Sequence, residues 1–202
     1  MNCDSGPGAQ PDPTYGPALA AARAAGVEVL GYVDTDNGRR PHSLVLDDIA
    51  RYREWYGTTG YLLDRAHVPC EVVRSYYAPL HFQLKSRDAD TTIVVNPGTA
   101  VPSCFLDVAD VLVDFEGPGE TYLAASLPEW HVEHEPTRFW HIVYDVAPTQ
   151  LDAVLATASR SGTGWLFVTD QPLDGGAPGR YLYDRLPHPV LSDQLRDALR
   201  LS

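Results

Sequence analysis

Six short apolar runs each end in a residue that can accept, hold or hand on a proton or hydrogen bond: Asp34, Asp64, Asn96, Glu116, Asp145 and Asp170. Five of these six ends are carboxylates. An Asp or Asn after a strand also makes a good turn former or helix cap, which accounts well for any single one of them. Several carboxylates on one rim would instead form an acidic cleft. Paired carboxylates in such a cleft are the machinery of glycoside hydrolysis, where one acid protonates the leaving oxygen and the other activates water or attacks the anomeric carbon. Burial and mutual repulsion separate the pKa values that this division of labour requires. Aromatic residues that could stack on sugar faces near these ends are Tyr32, Trp55, Tyr56, Tyr76, Tyr77, Trp140 and Tyr144.

Other patterns carry less chemistry. His131, Glu133, His134 and Glu135 stand close together but match neither metalloprotease spacing, and Pro128 and Pro136 flank them. A solvated loop is the expectation there, with no metal and no cofactor. There is no GxSxG nucleophile elbow. Cys3, Cys70 and Cys104 are odd in number and widely spaced, which implies no disulfide framework.

The apolar runs are Val27–Asp34, Tyr61–Asp64, Thr92–Asn96, Val111–Glu116, Ile142–Asp145 and Trp165–Asp170. They are continuous rather than alternating, as expected of strands buried on both faces of a parallel sheet. Helical patterns separate them. Tyr15–Ala25 precedes Gly26, a plausible stop. Leu44–Tyr56 and Pro148–Ser161 carry apolar residues at helical spacing. Ser75–Lys85 is a weaker helix, Cys104–Ala109 a short one, and Ser192–Leu201 closes the chain behind a Ser192 N-cap. Pro172–Gly179 reads as a loop. Alternating strands and helices specify an α/β fold, either an open doubly wound sheet or a (β/α) barrel. The open sheet usually carries a Gly-rich phosphate loop after its first strand, and Pro7 removes an amide donor from the nearest match, Ser5–Gly8. A barrel puts its working residues at the C-terminal ends of its strands, which is where the carboxylates fall.

The chain has 202 residues, read as one domain, with 15 basic and 27 acidic side chains and a net charge of −12. Such a surface repels phosphate backbones and makes nucleic acid a poor partner. No apolar run approaches the roughly 20 residues of a membrane helix. Met1–Gly8 has neither the basic nor the apolar region of a signal peptide.

Taken together, several segments resemble one family. They are Asn2–Gly8 (NCDSGPG), Gly31–Arg40 (GYVDTDNGRR), Asp48–Tyr56 (DIARYREWY), Gly60–Asp64 (GYLLD), Asn96–Thr99 (NPGT), Asp110–Glu116 (DVLVDFE) and Val168–Asp170 (VTD). In this order and combination they resemble the spherulin-4 family, or glycoside hydrolase family 135. The resemblance implies a (β/α)₈ TIM-type barrel and a secreted hydrolase of α-1,4-linked N-acetylgalactosamine in microbial galactosaminogalactan. Related families cleave the cationic, deacetylated stretches. It further implies catalytic roles for Asp64 and Glu116, with Glu116 the general acid and Asp64 the nucleophile or base. Tyr32, Asp34, Arg40, Asn96, Tyr144 and Asp170 would line the cleft. In an α-linked sugar the 2-acetamido group lies cis to the leaving oxygen, so it cannot attack from behind and two protein carboxylates are needed.

The chain departs from the family pattern at Arg65, where the family has Glu, and at Asn37, where it usually has Tyr. Relative to the family, Asn2 corresponds to the end of the second strand, and the first βα unit and most of that strand are expected to be lacking. A barrel lacking them has exposed edges unless a partner chain, such as a second copy in a homodimer, completes it. A catalytically degenerate, glycan-binding barrel is the alternative that Arg65 raises.

Overall fold

The computed structural model describes residues 1–126 and 128–173. The expected Ser192–Leu201 helix and most of the Pro172–Gly179 loop lie outside them. The chain divides into two compact units, Met1–Leu112 and Val113–Ser202. Six strands follow one another in the sheet in chain order. They are β1 (Leu30–Asp34), β2 (Gly60–Asp64), β3 (Thr92–Val95), β4 (Val111–Pro118), β5 (Phe139–Tyr144) and β6 (Trp165–Val168). Among the described residues that order begins at β1 and ends at β6. The sheet is therefore open there, where the expected eight-stranded barrel would close.

In the first unit, α1 (Tyr15–Ala24) stops where expected. Gly26 turns the chain at φ +72°, and the Val27 amide bonds back to the Ala22 carbonyl. That capping leaves Val27 outside β1, which starts three residues later than its apolar run. Helix α2 (His42–Arg51) continues as one π-helical turn, Tyr52–Tyr56, and ends on Gly57 in the left-handed region. The wider turn lays the buried Tyr52 ring over Gly31, where an added Cβ would sit 2.7 Å from it. The weak helix expected after Ser75 is part of a nearly continuous helical stretch. It consists of α3 (Cys70–Val72), a π turn (Val73–Tyr77) and α4 (Ala78–Arg87). The short helix near Cys104 is a 3₁₀ turn, Ser103–Asp107.

β1 pairs parallel with β2 from Leu30↔Gly60 to Asp34↔Asp64, and β2 with β3 from Gly60↔Thr92 to Leu63↔Val95. This register brings Asp34 and Asp64 level, with Asn96 one residue beyond the β3 pairing. Val33, Leu63, Ile93, Val95, Leu80 and Tyr77 fill the core beneath. Loss of one such aliphatic side chain to Ala costs about 2–5 kcal/mol, so the polar ends stand on a stiff base. The Met1 backbone lies along the outer side of β1. Its ammonium donates to the Leu30 carbonyl at 2.7 Å, and its carbonyl accepts the Tyr32 amide at 2.9 Å.

One expectation about cysteine is corrected. Cys70 and Cys104 form a disulfide across a sequence separation of 34 residues, while Cys3 is free. The parallel fold sets the segments that follow β2 and β3 side by side, a proximity that linear spacing does not display.

In the second unit, β5 pairs parallel with β6 from Trp140↔Trp165 to Val143↔Val168. Helices α5 (Gly119–Ala124) and α6 (Leu151–Arg160) cover a core of Tyr122, Val143, Val146, Leu151, Val154 and Val168. The Pro148 segment forms a 3₁₀ turn that leads into α6.

Candidate active site

The first unit carries a polar cluster at the C-terminal ends of β1, β2 and β3. The Asn96 side-chain amide donates to Asp64 Oδ1 at 2.8 Å, and Asn96 is buried. The half-buried Tyr32 phenol lies within electrostatic reach of the same carboxylate. Burial, then the Asp64 charge, push the Tyr32 phenol far above its ordinary value, so it stays a donor. Asp64 is thus held by the neutral amide of Asn96, with the Tyr32 phenol beside it.

Arg65 follows Asp64 and turns back across the rim. Its guanidinium reaches Asp34 Oδ2 at 2.7 Å and Asp36 Oδ1 at 2.6 Å. Three non-glycine residues here have left-handed backbones: Asp36 (φ 46°), Asn37 (φ 52°) and Arg65 (φ 54°). Asp and Asn tolerate that region, but Arg does not favour it. The conformation is imposed by cross-links between the two loops. The Thr35 amide donates to the Asp64 carbonyl at 3.1 Å, and the Asn37 amide to the Arg65 carbonyl at 2.7 Å. The buried Thr35 hydroxyl donates to the Asp64 carbonyl at 2.7 Å and accepts from the Tyr77 hydroxyl at 2.6 Å. The Arg39 hydrogen bond, with the Arg39 and Arg65 charges, outweighs desolvation and holds the Asp36 carboxyl below its usual range.

Arg40 faces elsewhere. It donates to the Asp34 carbonyl at 2.9 Å and pairs with Asp48 at 2.6 Å, which anchors the loop onto α2. Tyr76 donates to the Arg40 carbonyl at 2.6 Å. Of the residues expected at the site in this unit, Tyr32, Asp34, Asp64 and Asn96 therefore gather together, and Arg40 braces them from behind.

The second unit places Glu116 two residues before the C-terminal end of β4, and Tyr144 and Asp170 at or just beyond the ends of β5 and β6. Burial, then the Glu116 and Asp145 charges, raise the Tyr144 phenol, which sets Glu116 and Tyr144 within electrostatic reach of each other. The β5 and β6 ends are tied together by the Asp145 amide on the Gln171 carbonyl at 3.0 Å and the Val146 amide on the Thr169 carbonyl at 3.1 Å. Gln171 donates to the Asp170 carboxylate at 3.1 Å.

The His131–Glu135 segment corrects a second expectation in part. Val132–Glu135 are exposed as expected of a solvated segment, but His131 is buried in a 3₁₀ turn (Glu129–Glu133) and stacks on Phe139 at 3.8 Å. Its imidazole meets the buried Asp114 carboxylate, which also lies 3.3 Å from His141. Tyr122 and Thr163 bond His141 in turn, at 2.6 and 2.9 Å. Burial pushes the Asp114 carboxyl up, but the hydrogen bonds and charges of His131 and His141 outweigh it and hold the group below its usual range. The sequence signal was a charged residue inside an otherwise apolar run, VLVDF. No cluster of three or more metal-ligating side chains occurs among the described residues.

A parallel α/β chain with polar side chains at the carboxyl ends of its strands defines the class of protein. Within that class, the chain belongs to the spherulin-4 family: Spherulation-specific family 4 matches residues 1–194. Spherulin-4 of Physarum polycephalum is 29% identical over 198 residues, covering 92% of this chain. The chain spans 57% of that relative's length. The crystal structure of Aspergillus clavatus Sph3 in complex with GalNAc shares the fold at a TM-score of 0.67 and 22% identity, covering 85% of this chain and 76% of that one.

Proposed function

We propose that this chain is a glycoside hydrolase acting on α-1,4-linked N-acetylgalactosamine and galactosamine polysaccharide, built on a barrel of this family. The observation that carries the reading is the Asp64 carboxylate, held by Asn96 beside Tyr32 at a strand end. Asp64 serves as nucleophile or base and Glu116 as general acid. Membership of the spherulin-4 family and likeness to a GalNAc-bound structure support a sugar as the ligand. Asp34, Asp36 and Asp64 against the two guanidiniums of Arg65 and Arg39 leave the rim acidic, which suits a glycan carrying free amines. The Cys70–Cys104 bridge accords with an oxidising compartment and hence with secretion.

One observation favours a second reading. Arg65 occupies the position of a family Glu, and a guanidinium cannot act as acid or base at working pH. If that Glu is indispensable, the protein holds the glycan without cutting it. Incubation with galactosaminogalactan oligosaccharides, intact and partly deacetylated, followed by mass spectrometry, separates the two. Hydrolysis predicts shorter products that vanish in Glu116→Gln. Saturable binding with no products from folded protein establishes the second reading.

A further inference from the structure

A second set of polar side chains lies at the opposite ends of the strands in the first unit. A cleft of about 350 Å³ opens there between the end of α2, the end of α4 and the starts of β2 and β3. An adjoining cleft of about 270 Å³ shares Arg53, Tyr61, Asp88 and Thr91 with it. Ile49 and Leu84 give the larger one an apolar wall. Thr58 lines the smaller one. It is only 2% exposed, and its hydroxyl has no hydrogen-bond partner among the described residues. A buried hydroxyl left unmatched costs about 1–3 kcal/mol, a cost that a hydroxyl group bound at the cleft wall would relieve.

The composition of the walls selects the ligand. Arg53 and Arg87 supply guanidinium donors, Glu54 and Asp88 supply carboxylate acceptors, and Arg53 stands 4.0 Å from Asp88. The charges cancel, which disfavours a phosphate or another simple anion. Alternating donors and acceptors over an apolar wall match a neutral polyol, whose hydroxyls do both and whose C–H face packs on aliphatic carbon. The volume admits a pyranose ring. At about 3.3 Å per residue, Asp64 lies roughly 20 Å along the chain from Thr58, so this is a separate place from the carboxylate rim.

We propose that this cleft is a second saccharide site, holding one sugar residue of a glycan at the ends of the strands remote from Asp64. The proposal rests on the glycan reading of the chain and extends it to a tether for polymer. The test is an amide NMR titration of the whole chain with N-acetylgalactosamine, run in parallel with inorganic phosphate. The expected result is saturating shifts at Thr58, Thr59, Tyr61 and Thr91 with the sugar and none with phosphate, at roughly millimolar affinity. Arg87→Ala should weaken these shifts about tenfold or more, and Asp64→Asn should leave them intact. Thr58→Val should weaken them several-fold while its melting temperature holds or rises, because the variant removes the unmatched hydroxyl. Sugar-induced shifts confined to Tyr32, Asp34 and Asn96 would overturn the second site and leave the hydrolase reading standing. Shifts at Thr58 without any at the rim would keep the second site and overturn that reading. Equal response to phosphate would overturn the saccharide assignment.

Discussion

At the scale of single residues, Asp64 and Arg65 are neighbours with opposite tasks. Asp64 accepts a neutral hydrogen bond from Asn96 with the Tyr32 phenol beside it, while Arg65 spends its guanidinium on Asp34 and Asp36. Arg65 is half-exposed, so its ion pairs are screened and support the fold weakly. Arg65→Ala should therefore leave the melting temperature nearly unchanged while making the rim more negative. Binding of deacetylated, amine-bearing oligosaccharide should tighten several-fold at low salt, and binding of the fully acetylated one should not. Titration calorimetry at two ionic strengths checks this, and an equal change for both sugars would count against a charge effect. The carboxylates at the strand ends were legible in the sequence because each closes an apolar run. The bracing of Arg40 against Asp48 was not, because a guanidinium's direction is set by a helix eight residues away.

At the scale of elements, the parallel register does the positioning. Asp34↔Asp64 pairing, with Asn96 beyond β3, follows from strands of matched length that end together. Strand existence was readable from apolar runs, but the bounds of β1 were displaced by the cap of α1 at Val27. The π-helical turns after α2 and α3 have no such signal, since periodicity cannot separate them from ordinary helix. In the second unit, β4 carries Asp114 two residues before Glu116, clamped by His131 on one side and His141 on the other. Asn keeps one acceptor oxygen but loses the charge and turns an amide donor on the other buried imidazole, so Asp114→Asn should cost about 3–5 kcal/mol. The folded carboxyl is depressed, so its stabilising contribution is full above the unfolded carboxyl pKa of about 4 and is lost as the pH falls through the folded value. Urea unfolding of both proteins should show a wide gap at pH 7 that narrows below about pH 4. A gap independent of pH would show that the histidine clamp is not ionic.

At the scale of the whole molecule, family, fold and covalent structure bear on one another. The α/β class was readable from alternation alone, and the family from the order of several short motifs, now matched across residues 1–194. Closure of the sheet was not readable, because it depends on pairings that no single run records. The disulfide escaped for the same reason, since Cys70 and Cys104 approach only once β2 and β3 lie side by side. Closing a loop of this length stabilises by about 3–4 kcal/mol in the chain-entropy description. Reduction, or the Cys70→Ser/Cys104→Ser pair, should lower the melting temperature by several degrees, measured by calorimetry. An unchanged melting temperature would mean that the bridge constrains nothing in the unfolded chain. The central claim is that Asp64 is the carboxylate on which glycan cleavage turns. The measurement that tests it most directly is the initial rate of reducing-end release from α-1,4-linked N-acetylgalactosamine oligosaccharides, wild type beside Asp64→Asn at matched melting temperature. The account predicts a fall of at least about a thousandfold. Equal rates from the two proteins would contradict it.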